Sequence, residues 1–101
     1  MIDTPENRVK NSIKAYLKRD GWMIQPNFQL GPMPKEWRGR PDMEAYKNGK
    51  VIFIEVKSKT GRQSDYQKVY QKKLEEHGMI YILARSVEDL RPYLDKIQFL
   101  F

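Results

Sequence analysis

Asn48-Gly49 narrows the folding of this 101-residue chain more than any other feature. The pair is the strongest short hairpin signal, because a type I′ turn needs positive φ at both central positions. It lies between residues 43–47, which alternate loosely, and residues 51–56, an apolar β-branched run. With Asn48 and Gly49 at the centre of the turn, Lys47 faces Lys50. Stepping outward along both strands then brings Asp42 opposite Glu55. Opposed residues on antiparallel strands hold their Cβ atoms about 5 Å apart. Two carboxylates at that distance repel unless a cation lies between them or one is protonated. Lys57, two residues past Glu55, projects from the same face of the strand. Two converging carboxylates with an ammonium beside them suit a hard divalent metal and an anionic substrate.

The length predicts one domain over residues 1–101, with room for a single core. No apolar run approaches the roughly 20 residues that span a bilayer, so no membrane partner is expected. The start, Met-Ile-Asp-Thr-Pro-Glu, lacks the basic-then-apolar order of a secretory signal. With no cysteine, disulfides and thiolate metal sites are excluded, and nothing argues for export. An intracellular, cytoplasmic protein is the expectation. The single histidine excludes a His-rich zinc site. A net charge of +6 favours a polyanionic partner such as DNA or RNA, although many basic small domains bind no nucleic acid.

Thr4-Pro5-Glu6 reads as a helix start, with a hydroxyl cap, proline at the first position and an acid in the first turn. The helix should run to about Asp20 and stop at Gly21. Val9, Ile13, Tyr16 and Leu17 form its apolar stripe, Glu6 lies within the same arc, and Lys10, Lys14 and Lys18 line the flank. Residues 22–29 read as a strand, and residues 30–40, with two prolines and two glycines, as a loop. After the hairpin and a basic turn at 59–62, Ser64 caps a second helix that ends at Gly78. Residues 79–84 form a short buried strand. Ser86 caps a third helix to about Ile97, with Leu90, Tyr93, Leu94 and Ile97 on its apolar face. The order αβββαβα predicts an α/β domain with a central mixed sheet flanked by helices.

Asp42 followed by Glu55-x-Lys57, in that order of elements, resembles the PD-(D/E)XK nuclease superfamily, whose restriction-endonuclease-like fold would have this layout. Within it the chain is similar to the VRR-NUC domain. Gly39-Arg40-Pro41-Asp42, the strand Phe53-Ile54-Glu55-Val56-Lys57-Ser58, the Gly61-Arg62 turn and Gln67 carry the likeness. Gly78 before an apolar strand ending Ala84-Arg85 also fits. The likeness runs from about Glu6 to Leu90. It is to the small isolated domains typical of phage and prophage, which resemble Holliday-junction resolvases; larger members carry extra DNA-binding domains.

The resemblance implies that Asp42 and Glu55 ligate Mg²⁺ or Mn²⁺, joined by the Val56 backbone carbonyl and waters, with all-oxygen ligation of the kind hard ions prefer. Lys57 would orient the attacking water or stabilise charge on the phosphorane. The bland alternatives are a turn-proximal Asp42, a strand-end Glu55 and a surface Lys57. Glu in the middle of Val-Ile-Phe-Ile-Glu-Val fits its bland alternative poorly. Glu6 would approach the metal from the first helix, or else simply favour the positive end of the helix dipole. Gln67, on a face with Tyr70 and Leu74, resembles the start of a QxxY element. It would contact a phosphate-bound water or Lys57, or be solvated. Glu44 is an outlying acid on the Asp42 face. Arg38, Arg40, Lys59 and Arg62 would hold DNA phosphates without reading bases, and Trp37 would stack on an exposed base; taken singly each reads more simply as a solvated surface residue, and the cluster is better evidence than its members. His77 compensates a helix dipole.

These features imply a divalent-metal-dependent endodeoxyribonuclease acting on branched DNA, with four-way junctions as the expected substrate and no small-molecule substrate. A binding module that does not cut is the first rival. A flap or sequence-specific nuclease of the same superfamily is the second, disfavoured by the shortness of the chain. Two symmetric nicks call for a homodimer. Ile97, Phe99, Leu100 and Phe101 are either part of its interface or a final edge strand.

Overall fold

The computed structural model describes residues 3–27 and 31–99. Helix α1 spans Pro5–Arg19: the Thr4 hydroxyl accepts the Asn7 N–H at 3.1 Å, and Gly21, at φ +89°, turns the chain out of the helix. Strand β1 covers Met23–Pro26, shorter than the expected 22–29. Trp22 is buried just before it, its indole N–H donating to Asp20 Oδ2 at 3.1 Å, while Phe28 and Gln29 lie outside the described residues. The described residues of the loop that follows include one 3₁₀ turn, Lys35–Trp37.

Strands β2 (Met43–Lys47) and β3 (Lys50–Val56) form the hairpin in the expected register, from Lys47 opposite Lys50 to Met43 opposite Ile54. Asn48 and Gly49 sit at φ +50° and +76°, the left-handed pair that a I′ turn requires. Helix α2 (Asp65–Glu76) has a complete capping box. The Ser64 hydroxyl accepts the Gln67 N–H, and the Gln67 side chain accepts the Ser64 N–H. Strand β4 covers Ile80–Ala84.

The third helix departs from expectation. Ser86 makes no side-chain cap; the chain enters a 3₁₀ turn at Val87–Leu90 before helix α3 (Arg91–Phe99). Pro92 has no N–H to give to a preceding carbonyl, so regular α hydrogen bonding starts only around it. Asp89 takes over part of the capping role, accepting the Arg85 N–H at 2.8 Å.

The sheet order is β1-β2-β3-β4, antiparallel except for the parallel β3/β4 pair. Strand alternation sends Met43, Ala45, Ile52, Ile54 and Val56 to one face. There they join Ile13 and Leu17 of α1 and Leu90, Leu94 and Ile97 at the C-terminal end in one core. The opposite face carries Glu44, Phe53 and Glu55 and receives α2. No α2 side chain is fully buried. This helix is a thin cover, and the face beneath it is where the charged residues collect.

Two expectations about the C-terminal end change. Tyr93 is 42% exposed rather than in the core. Ile97 is buried and the chain stays helical to Phe99, so the described part of the tail is no edge strand. Leu100 and Phe101 lie outside the described residues.

Candidate active site

The hairpin register carries Asp42 one step beyond the last paired residue of β2, beside Glu55. The loop around Asp42 is tied down from several sides. Pro41 is fully buried, its carbonyl accepts the Asn27 side-chain amide at 2.9 Å, and the Asp42 carbonyl accepts the Asn27 N–H at 2.9 Å. Asp42 Oδ2 accepts the Val56 N–H at 2.6 Å, a charge-assisted bond that locks the carboxylate onto β3. Its other oxygen, Oδ1, lies 3.2 Å from Lys10 Nζ on α1.

Glu55 is the one charged residue in the described core, 2% exposed. Its Oε2 is 3.6 Å from Lys57 Nζ and accepts the Gln67 amide at 2.9 Å. Its Oε1 is buried with no hydrogen-bond partner. Burial, and then the Asp42 carboxylate, push the Glu55 pKa up from 4.5 to about 8, against the pull of Lys57. A buried carboxylate with a bare oxygen beside a second carboxylate is costly as an anion, and it needs either a proton or a cation. Lys57 is itself 14% exposed, unlike a solvated surface lysine. Tyr81 of β4 lies under α2, its hydroxyl accepting the Gln63 amide at 3.1 Å; burial and the nearby Glu55 charge hold it as a phenol.

The donor set fits a hard divalent cation. Asp42 and Glu55 would hold it, and the bare Glu55 Oε1 is the atom that lacks a partner without it. Among the described residues no group of three or more His, Cys, Asp or Glu side chains converges. Two carboxylates completed by water and substrate oxygens is the way Mg²⁺ is commonly held.

Of the other expected site residues, Gln67 reaches the centre, but its partner is Glu55 itself rather than Lys57. It does so while its carbonyl oxygen closes the α2 capping box, so helix start and site share one side chain. Glu6 is partly buried on α1; the residue of that helix that contacts Asp42 is Lys10, one turn further on. Glu44 accepts the Tyr46 hydroxyl. Lys59 and Arg62 are exposed on the turn after β3. Arg40 donates to Asn27 Oδ1 at 2.6 Å and lies 5.3 Å from the Trp37 ring; Arg38 donates to the Tyr66 hydroxyl at 3.0 Å and lies over its ring. His77 Nδ1 lies 2.8 Å from the Lys73 carbonyl at the end of α2.

The contacts of three residues of the site escaped sequence reasoning. Lys10 read as a flank lysine, although i to i+4 spacing from Glu6 could have flagged it. Gly39, at φ +85°, brings the loop so close to α2 that a Cβ there would stand 2.3 Å from the Tyr66 carbonyl oxygen. Arg85, at the end of β4, donates through Nη1 to the Ser58 and Gly61 carbonyls, both at 2.6 Å, and so holds the turn that follows Lys57. Glycine in a Gly-Arg-Pro-Asp string hints at the close approach; nothing in the sequence reveals what Arg85 touches.

No family model matches this chain, and no curated protein matches it. Among solved structures, one described as a VRR_NUC domain superposes with a TM-score of 0.75 over 92% of this chain and 97% of that one, at 19% sequence identity. The fold is therefore that of this VRR_NUC domain structure, an α/β arrangement of one four-stranded mixed sheet with helices packed on it.

Proposed function

We propose that the chain is a divalent-metal-dependent, structure-selective endodeoxyribonuclease that hydrolyses phosphodiester bonds and resolves four-way (Holliday) junctions as a homodimer. The observation that carries the reading is Glu55: a carboxylate buried at the end of β3 beside Asp42, with Oε1 bare and Oε2 held by Lys57 and Gln67. A packed strand gains no stability from such a residue; a metal centre does. The likeness of fold to a VRR_NUC domain supports the same assignment.

Asp42 and Glu55 would hold Mg²⁺ or Mn²⁺. The Val56 carbonyl is a third donor, since a strand residue's N–H and C=O point toward the same neighbour and the Val56 N–H points at Asp42. When bound, the ion supplies Lewis-acid polarisation of the phosphate and lowers the pKa of a water. Lys57 places its positive charge where it can orient that water or offset charge on the phosphoryl oxygens. Gln67 holds Oε2 of the Glu55 carboxylate and leaves Oε1 free for the ion. Arg38, Arg40, Lys59 and Arg62 supply phosphate contacts around it, which position the backbone without reading sequence. Glu6 is a peripheral acid on α1 from which a water-mediated contact could be made.

Labelled junction, flap, single-stranded and linear duplex DNA, each incubated with Mg²⁺, Mn²⁺ or EDTA, test the reading. Cleavage of the junction that needs metal and outpaces the other substrates is the expected result. Faster cutting of flaps would remove the resolvase assignment and keep the nuclease. Binding to the junction without cutting would leave a DNA-binding module.

A further inference from the structure

Beside the first turns of α2 lies a cleft of which the chemistry above uses only Arg38. It runs between the 3₁₀ turn and α2, with a volume of about 390 Å³. Tyr66, Val69 and Tyr70 form its apolar floor, and Tyr66 and Val69 are 49% and 54% exposed. Lys35, Arg38 and Lys73 stand at its walls, outnumbering the acids Glu36 and Asp65. The Tyr66 ring is fixed, because Arg38 both donates to its hydroxyl at 3.0 Å and lies 5.4 Å from its centroid. An exposed aromatic floor between cations is the chemistry that takes a nucleobase by stacking and its phosphates by charge.

Position ties the cleft to the carboxylate centre. Tyr66 immediately precedes Gln67, which donates to Glu55, and the Tyr66 backbone is what Gly39 packs against, three residues before Asp42. A base held on Tyr66 would therefore sit one residue along α2 from the side chain that holds Glu55. In continuous duplex both faces of each base are covered by neighbours, so only an unpaired or extruded base can use such a floor.

Resting on the nuclease reading, we propose that this cleft binds one unpaired nucleobase adjoining the scissile phosphate, and that this contact favours DNA with a break in its stacking over continuous duplex. Glu36 and Asp65 supply acceptors for the base's amino and ring N–H groups.

The test uses the full chain in EDTA, so that nothing is cut, with a DNA duplex carrying a single 2-aminopurine bulge and the same duplex fully paired. Binding of the bulged duplex should quench the 2-aminopurine. Tyr66→Leu removes the ring, and Val69→Trp fills the cleft from a half-exposed helix position, so both should fold as wild type. Each should weaken bulge binding by about tenfold and leave paired-duplex binding within about twofold, while Tyr66→Phe, which keeps the ring and loses only the Arg38 hydrogen bond, should lose less than Tyr66→Leu. Equal losses on both duplexes, no loss, or no quenching would overturn the proposal. Cleavage with Mg²⁺ separates the two readings. A protein that cuts but shows no dependence on the cleft loses the cleft alone, whereas one that captures the bulge through the cleft and never cuts loses the nuclease alone.

Discussion

Glu55 carries more than one property of this protein. Its pKa of about 8 lies above the ordinary 4.5, so the folded chain holds a proton there that the unfolded chain releases. The contribution is fully present below pH 4.5 and is lost as pH rises through 8, with an upper bound of roughly 5 kcal/mol. In EDTA the melting temperature should therefore fall between pH 5 and 8, and Glu55→Gln should flatten that slope. A wild-type slope no steeper than the variant's would contradict the buried-carboxylate account. In the proposed metal centre Mn²⁺ would displace the same proton, so its stabilisation of the wild type should grow over the same interval. Asp42 is a less simple probe of stability. Neutralising it relieves repulsion with Glu55, yet it also removes the ion pair with Lys10. On the proposed mechanism Lys57 acts at a different stage. Lys57→Ala should bind junction DNA within several-fold of wild type but cut about a hundredfold more slowly. Normal cutting with poor binding would move Lys57 from chemistry to grip.

At the level of elements, the site is a meeting of the hairpin end with the first turn of α2, and Gly39 sets how closely they approach. A methyl group there meets the Tyr66 backbone at 2.3 Å and must also adopt φ +85°. Gly39→Ala should cost at least about 2 kcal/mol, or roughly 8–16 °C in melting temperature. Gly49→Ala, with positive φ but nothing within 4 Å, should cost only about 1 kcal/mol. Thermal unfolding of the pair checks this; equal losses would mean that the loop and α2 are not in close contact. The hairpin half of the site was legible because period-2 alternation and a two-residue turn set register without outside help. That is why Asp42, Glu55 and Lys57 could be placed together from residue types and spacing. The α2 half was legible as a helix and a cap but not as a contact: Ser64 announced the start, while the Gln67–Glu55 bond depends on where the crossover sets α2 over the sheet. Arg85 and Lys10 act across 24 residues or more, and no local pattern encodes such pairings. The split of the third helix turned on Pro92, whose missing donor outweighed the capping signal of Ser86.

Taken whole, the molecule presents one layer of well-buried core under the sheet and a thinly covered, charged face above it. That asymmetry suits a protein that works on a polyanion with one face. A four-way junction needs two nicks, and one Asp42/Glu55/Lys57 set serves one strand, so a two-fold pair is the economical arrangement. Light scattering at micromolar concentration should give about twice the 12.1 kDa chain mass. A protein that stays monomeric on junction DNA would remove the resolvase assignment. The most direct test of the central claim, that Asp42 and Glu55 form a metal centre that cuts DNA, is cleavage of a labelled four-way junction by wild type and Asp42→Asn over a Mn²⁺ titration. The wild type should cut with metal and stop in EDTA, and the variant should be slower by at least about a hundredfold at every Mn²⁺ concentration. Cutting by Asp42→Asn at the wild-type rate, or wild-type cutting that survives EDTA, would contradict it.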